Sequence, residues 1–284
     1  MTTASAAPDR HAYPDPGARA VFRSELLKLR SIRSVGVMLA IAVALTALIS
    51  LFYAHEQAIV GSSTVAAGQD GFGSPNQTVY PTQVDPTGTL LAGYVFGAAM
   101  FAAFGAIAGA LEYSSGMIRI SLIAVPRRTH LFLCKAAAVA STALAAAAVC
   151  TLGCYLIGET FFSGTPQESI GLTSPGVPLH LAGAVICLAG WAMIGFAFGM
   201  LLRSTALGVT LSFVLYITAP LLAENIAPDR ANNVTPTQAG QALWIYHNPM
   251  NPDIAPFGAA LAVFLAYVVV LVAAAFTRVA RTDA

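Results

Sequence analysis

Thr89–Leu111 reads TLLAGYVFGAAMFAAFGAIAGAL, and Glu112-Tyr113-Ser114-Ser115-Gly116 follows it directly. No Asp, Glu, Lys or Arg interrupts those 23 residues. At about 1.5 Å per residue, a helix of that length covers the roughly 30 Å hydrocarbon core of a bilayer. The polar chemistry begins only at its end, with Glu112. The stretch therefore reads as a membrane span followed by a helix break at a glycine.

Five more stretches have the same character: Val35–Tyr53, Ala136–Ile157, Leu179–Leu202, Thr205–Ala223 and Pro256–Phe276. None carries a charge in its central turns, where each would cost about 2.5 to 3.5 kcal/mol. Of the chain's 284 residues, 57% are hydrophobic and 10% charged, against roughly a quarter charged in a soluble domain. The expected fold is all-α: a polytopic six-span membrane protein whose single membrane domain covers 18–280, with a disordered tail over 1–17 and a short tail over 281–284. The start lacks the order of a secretory signal, since its first apolar stretch is of full spanning length.

The net charge of +1 is uninformative, but its placement is not. Six spans divide the loops into two sets, and Arg230 is the one basic residue in the set that also holds Glu56, Asp70, Glu159 and Glu224. By the positive-inside rule the other set faces the cytoplasm, and with it both termini. The expected location is the cytoplasmic membrane. Cys134, Cys150, Cys154 and Cys187 avoid the long polar loops and are expected as free thiols. Cys150 and Cys154 stand one turn apart, but small buried residues explain them better than a metal pair, and no metal site is expected.

Ahead of the first span, Ala18–Ser34 has Phe22, Leu26 and Leu29 at helical spacing, with Arg19, Arg23 and Arg30 in another stripe. That pattern predicts an amphipathic helix along the membrane surface, its arginines near anionic headgroups. It would serve as a topology anchor or as a lever for a cytosolic partner, with Glu25 ready to pair with a basic residue of that partner. Between the second and third spans, Gly116 and Pro126 bracket a short helix expected over 117–124, beside Arg119, Arg127 and Arg128. Such a helix would fit a groove on a partner, or would only join two spans.

Gly93 with Gly97, Gly105 with Gly109, and Gly195 with Gly199 are small-residue pairs that bring helices close, within the chain or at a dimer seam. Pro220 weakens the fifth span, as a fixed kink or a gate. The segment 239–246, with Trp244, is expected to dip into the outer interface, as a lid or an inert loop. There is no G-x-x-x-x-G-K-[ST] loop, no charge inside a span for proton relay, and no nucleophile elbow. The chain is expected to be non-catalytic and to hold no cofactor of its own.

Three motifs lie in order between these spans: Arg23-Ser24-Glu25-Leu26-Leu27-Lys28-Leu29-Arg30-Ser31; Glu112-Tyr113-Ser114-Ser115-Gly116 with Ala124-Val125-Pro126-Arg127-Arg128 and Lys135; and Thr235-Pro236-Thr237-Gln238-Ala239-Gly240-Gln241-Ala242. Together they resemble the permease subunits of type-2 ABC exporters, especially the alanine-rich actinobacterial forms, over about residues 18 to 280. The resemblance implies an interface helix at the first motif, a coupling helix at the second and a partly re-entrant hairpin at the third. It assigns partner coupling to Glu25, Arg30, Glu112, Gly116, Arg119, Pro126, Arg127 and Arg128. An extracellular gate would involve Pro220, Pro236, Gly240 and Trp244.

The implied partners are two copies of a cytosolic ATP-binding subunit, which would hold ATP and Mg, and a second permease, either a copy or a paralogue. Membrane lipids and a hydrophobic or amphipathic small molecule complete the set, with no nucleic acid. The expected function is export of that molecule, a drug, antibiotic or lipid. The alternative is a membrane anchor or sensor that recruits a cytosolic protein and transports nothing.

Overall fold

The computed structural model describes residues 17–67, 86–114, 116, 128–162, 172–173, 176–226, 234–245 and 255–281. Among them every regular element is a helix. The elements are α1 (Ala18–Ser31), α2 (Arg33–Ala67), α3 (Pro86–Leu90), α4 (Tyr94–Ser114), α5 (Arg128–Phe162), α6 (Val177–Leu202), α7 (Thr205–Ile226), α8 (Pro236–Ala242) and α9 (Phe257–Arg281). Six of these, α2, α4, α5, α6, α7 and α9, are long and apolar enough to cross a membrane. The protein has the character of a multi-pass membrane protein.

The six correspond to the six apolar stretches, with two changes of outline. Helices α2 and α5 each run for 35 residues, well past the 17 to 25 needed to cross. The segment expected as one span from Thr89 is divided: α3 ends at Leu90, a turn occupies 91–93, and α4 begins at Tyr94. The turn has a local cause. The Gly93 amide donates to Ser50 Oγ at 3.0 Å instead of continuing a helix, and a Cβ there would lie 2.2 Å from the Thr46 carbonyl oxygen.

The most extensive contact in the fold is that of α4 with α6. It is a glycine seam. A Cβ on Gly105 would stand 1.8 Å from Ala192 O, and one on Gly195 would stand 1.8 Å from Ala102 O. One turn further along, Gly109 faces Phe196 O and Gly199 faces Ala106 O in the same way. Backbone therefore meets backbone, and dispersion contacts replace the hydrophobic drive that lipid cannot supply. Gly97, roughly a quarter to a third of a turn around α4 from this seam, and Gly93 in the turn before it seat α4 on Thr46 and Ser50 of α2 instead.

Around the buried α4–α6 pair, α2, α7 and α9 expose most of their surface. That surface is apolar, as in Leu48, Phe52, Leu207, Leu221, Val269 and Val270, so water would not be its solvent. Arg203 and Ser204 alone separate α6 from α7. Arg203 takes a left-handed conformation, with φ of 53°, and the two helices then meet again at Gly199 and Gly208.

The short helix α8 lies inside the protein. Ala239, Gly240, Ala242, Leu243 and Trp244 are buried, and the Trp244 ring sits 5.8 Å from that of Tyr94. This corrects the expectation that Trp244 rests at a membrane interface. Its face is covered by protein, and His180 Nδ1 donates to the Leu243 carbonyl at 3.1 Å to hold the turn in place.

Candidate functional site

At one end of the body four ionisable side chains from three helices meet. Glu25 and Lys28 come from α1, Glu112 from the last turn of α4, and Lys135 from the second turn of α5. Lys28 Nζ lies 2.6 Å from Glu25 Oε1 and 2.9 Å from Glu112 Oε1. Lys135 Nζ lies 3.1 Å from the other Glu112 oxygen. The order is acid, base, acid, base, and Glu112 uses each carboxylate oxygen for a different lysine.

Local sequence explains how the four arrive together. Val21, Glu25 and Leu29 recur at helical spacing and form the buried face of α1, with Lys28 beside them and within reach of Glu25 at i+3. The face is held by Leu131 and Cys134 of α5, which cluster with Val21, and the Cys134 thiol donates to Ala18 O at 3.6 Å. Glu25, Glu112 and Lys135 are all buried, whereas the Lys28 side chain retains 37% of its exposure. Charges so placed are tolerable only as a set, because one left alone would be severely destabilising.

Burial works against the charged form of Lys28, but hydrogen bonds and charge from Glu25 and Glu112 outweigh it. The ammonium is held above its ordinary value near 10.5. Next to Glu112, the Tyr113 ring carries the Arg203 guanidinium 5.4 Å from its centroid. This contact brings the α6–α7 joint to the same end, and it is favourable in both charge and stacking.

The structure therefore redistributes the residues that the sequence singles out. Glu25, expected to pair with a partner's basic residue, is buried and bonded within the chain. Glu112 is likewise taken up internally, while Arg30 is exposed. Gly116 stands just past the end of α4 with a positive φ of 71°, a conformation that L side chains rarely adopt. Arg128 opens α5. Arg119, Pro126, Arg127 and the short helix expected over 117–124 lie outside the described residues. Lys28 and Lys135 complete the cluster; the sequence reading places both in the motifs without giving them a site role, and they are the chain's only lysines.

A second polar contact concerns the residues expected at a gate. Pro220 lies inside α7, which continues to Ile226. Lacking an N–H, it cannot bond the carbonyl of Tyr216 four residues earlier. That carbonyl accepts the Thr237 hydroxyl of α8 at 2.9 Å. The Pro236 position is a helix start: Thr235 Oγ1 accepts the Gln238 amide at 3.3 Å and donates to Gln238 Oε1, with proline at the first turn. Gly240 keeps α8 within reach of Cys187, Trp191 and Phe264.

Among the described residues no group of three His, Cys, Asp or Glu is placed to hold a metal ion. Neither family models nor curated proteins yield a match to this chain.

Proposed function

We propose that this chain is the membrane permease subunit of an ATP-driven exporter, passing a hydrophobic or amphipathic small molecule outward across the cytoplasmic membrane. The observation that carries this reading is the convergence of α1, the end of α4 and the start of α5 on one buried charge cluster. Helices α4 and α5 flank the Gly116 segment and also form the walls of the helical body. A force on that segment thus has a direct path into the body, through charges that reward one arrangement of the three helices. Two arrangements of the same contacts are what a switch requires.

In this reading both termini and the cluster face the cytoplasm, and a pair of separate ATP-binding subunits grips the Gly116 side, supplying ATP and Mg. A second permease, a copy or a paralogue, completes the pathway. The segment Thr235–Trp244 is a partly re-entrant element at the outer side, and Pro220, Pro236, Gly240 and Trp244 set its position. The transported molecule belongs to the chemical range of drugs, antibiotics and lipids, since an apolar passage lined with small residues selects for size and greasiness.

The test is co-expression with a candidate ATP-binding subunit, followed by co-purification, ATP hydrolysis and export from vesicles. Gly116→Ala strains a positive-φ position just past the end of α4, at a local cost of about 1–2 kcal/mol, and should leave insertion intact while separating ATP hydrolysis from export. A chain that recruits no ATPase under any co-expression would instead favour the anchor reading. Unchanged export by the Gly116 variant would remove that residue from the coupling path.

A further inference from the structure

The cations of α1 are sorted by face. Lys28 turns inward to the charge cluster, whereas Arg19, Arg23 and Arg30 are exposed. At 100° per residue the three arginines fall within an arc of about 40°, with Leu27 about 40° beyond. Leu27 is itself 57% exposed. Val21, Glu25 and Leu29 occupy the opposite half of the helix and are buried. Among the described residues no carboxylate stands within ion-pair distance of the three arginines, because the nearby Glu25 and Glu112 already hold lysines.

Position adds a second constraint. A single residue, Ile32, separates α1 from α2, and Arg33 is the first residue of a helix apolar enough to cross a membrane. Consecutive Cα atoms are 3.8 Å apart, so Arg30 lies within about 11 Å of that entry point. The arginine stripe extends about 16 Å from there along α1. A row of unpaired guanidinium groups, tied to the mouth of a span and flanked by an exposed leucine, matches a layer of phosphates over acyl chains.

We propose that the Arg19, Arg23, Arg30 and Leu27 face of α1 binds the headgroups of anionic phospholipids. The arginines take the phosphates, and Leu27 contacts the acyl region beside them. The inward face meanwhile fastens α1 to the body, so the helix joins the lipid surface to the charge cluster. This requires only that α2 crosses a bilayer, and it is independent of the exporter reading.

The experiment uses the full chain in micelles containing equal amounts of phosphatidylcholine and phosphatidylglycerol, with retained lipids counted by native mass spectrometry. Phosphatidylglycerol should be enriched, with the enrichment falling as salt is raised from about 0.05 to 0.5 M. Each Arg→Gln change should reduce it by about fivefold, and the triple variant R19Q/R23Q/R30Q by well over tenfold. The triple Arg→Lys variant should retain most of it. Wild-type enrichment in the triple Gln variant, or enrichment indifferent to salt, would overturn the proposal. So would a triple Gln variant that keeps its lipid but loses a co-expressed cytosolic subunit, since the face would then fit an acidic protein. If the triple variant fails to fold, R23Q alone and the salt series decide. No ATP hydrolysis is read, so the outcome stands apart from the fate of the exporter reading.

Discussion

Along its middle, α4 meets α6 backbone to backbone, whereas at its end it meets α1 and α5 through four charges. The first contact contains no polar side chain and leaves no room for a methyl group. The second is made of side chains that could each find water if the helices parted. Close-packed backbones have one good distance and respond steeply to any change. A charge cluster instead weighs a large desolvation cost against a large attraction, and it can be balanced near zero. The body of the molecule thus has a stiff centre and an end whose arrangement is open to bias.

The sharpest way to break this contrast is to add a methyl group to the seam. Gly105→Ala or Gly195→Ala would place a Cβ 1.8 Å from a carbonyl oxygen of the facing helix. Neither helix can yield without losing the neighbouring glycine contacts, so the cost lies beyond the about 1–3 kcal/mol of ordinary overpacking. The folded, monodisperse species should be lost on size-exclusion chromatography. Gly153→Ala in α5 is the control: nothing lies within 4 Å of the added Cβ, and its higher helix propensity should hold or slightly raise the thermal midpoint.

Next in size is the cluster itself. Glu112→Ala removes the acid shared by both lysines and leaves Lys135 buried without that partner, at a cost of about 3 kcal/mol. The double change E112L/K135M should recover much of this, because apolar side chains of similar volume often replace a buried pair without loss. Thermal unfolding in detergent reads both. If the double variant folds yet fails to export, the charges serve the switch more than the fold. If it folds and exports normally, the cluster is only a fastening.

The two regions were unequally legible in the sequence. The seam could be read from glycines four residues apart, because the spacing alone puts them on one helix face. Which helix each pair would face could not be read, and Gly93 and Gly97 turn to α2 while Gly105 and Gly109 turn to α6. The cluster is half legible: Glu112 borders a span end and Glu25 stands on the amphipathic helix ahead of the first span. Their partners come from residues 84 positions apart in one case, and no local pattern encodes such a meeting. Trp244 misled because an amphipathic ring suits an interface as well as a core, and only packing against Tyr94 decides between them.

A smaller effect tests a polar contact that lies outside both regions. Thr237→Val should cost about 1 kcal/mol, the net worth of a typical hydrogen bond, by leaving the Tyr216 carbonyl unpaired. In a Pro220→Ala background, residue 220 regains an N–H and can bond that carbonyl itself. The Thr237→Val cost should then shrink, and a double-mutant cycle measures the difference. Equal costs in the two backgrounds would show that the proline and the threonine act independently, and α8 would owe its place to burial alone.

The smallest expected effect concerns the most exposed member of the cluster. The folded state holds the Lys28 proton more tightly than an unfolded lysine does. Its stabilising contribution is therefore complete below about pH 10.5 and fades as pH rises through the higher folded value. Lys28→Gln should lower stability at neutral pH by a modest amount, because solvent already screens a side chain that keeps 37% of its exposure. The quantity to follow is the difference between wild type and variant. That difference should be flat from pH 6 to about 10 and narrow above 10.5. A difference that stayed constant through the alkaline range would mean that Lys28 holds α1 by its aliphatic stem, and the cluster would reduce to the buried Glu112–Lys135 pair.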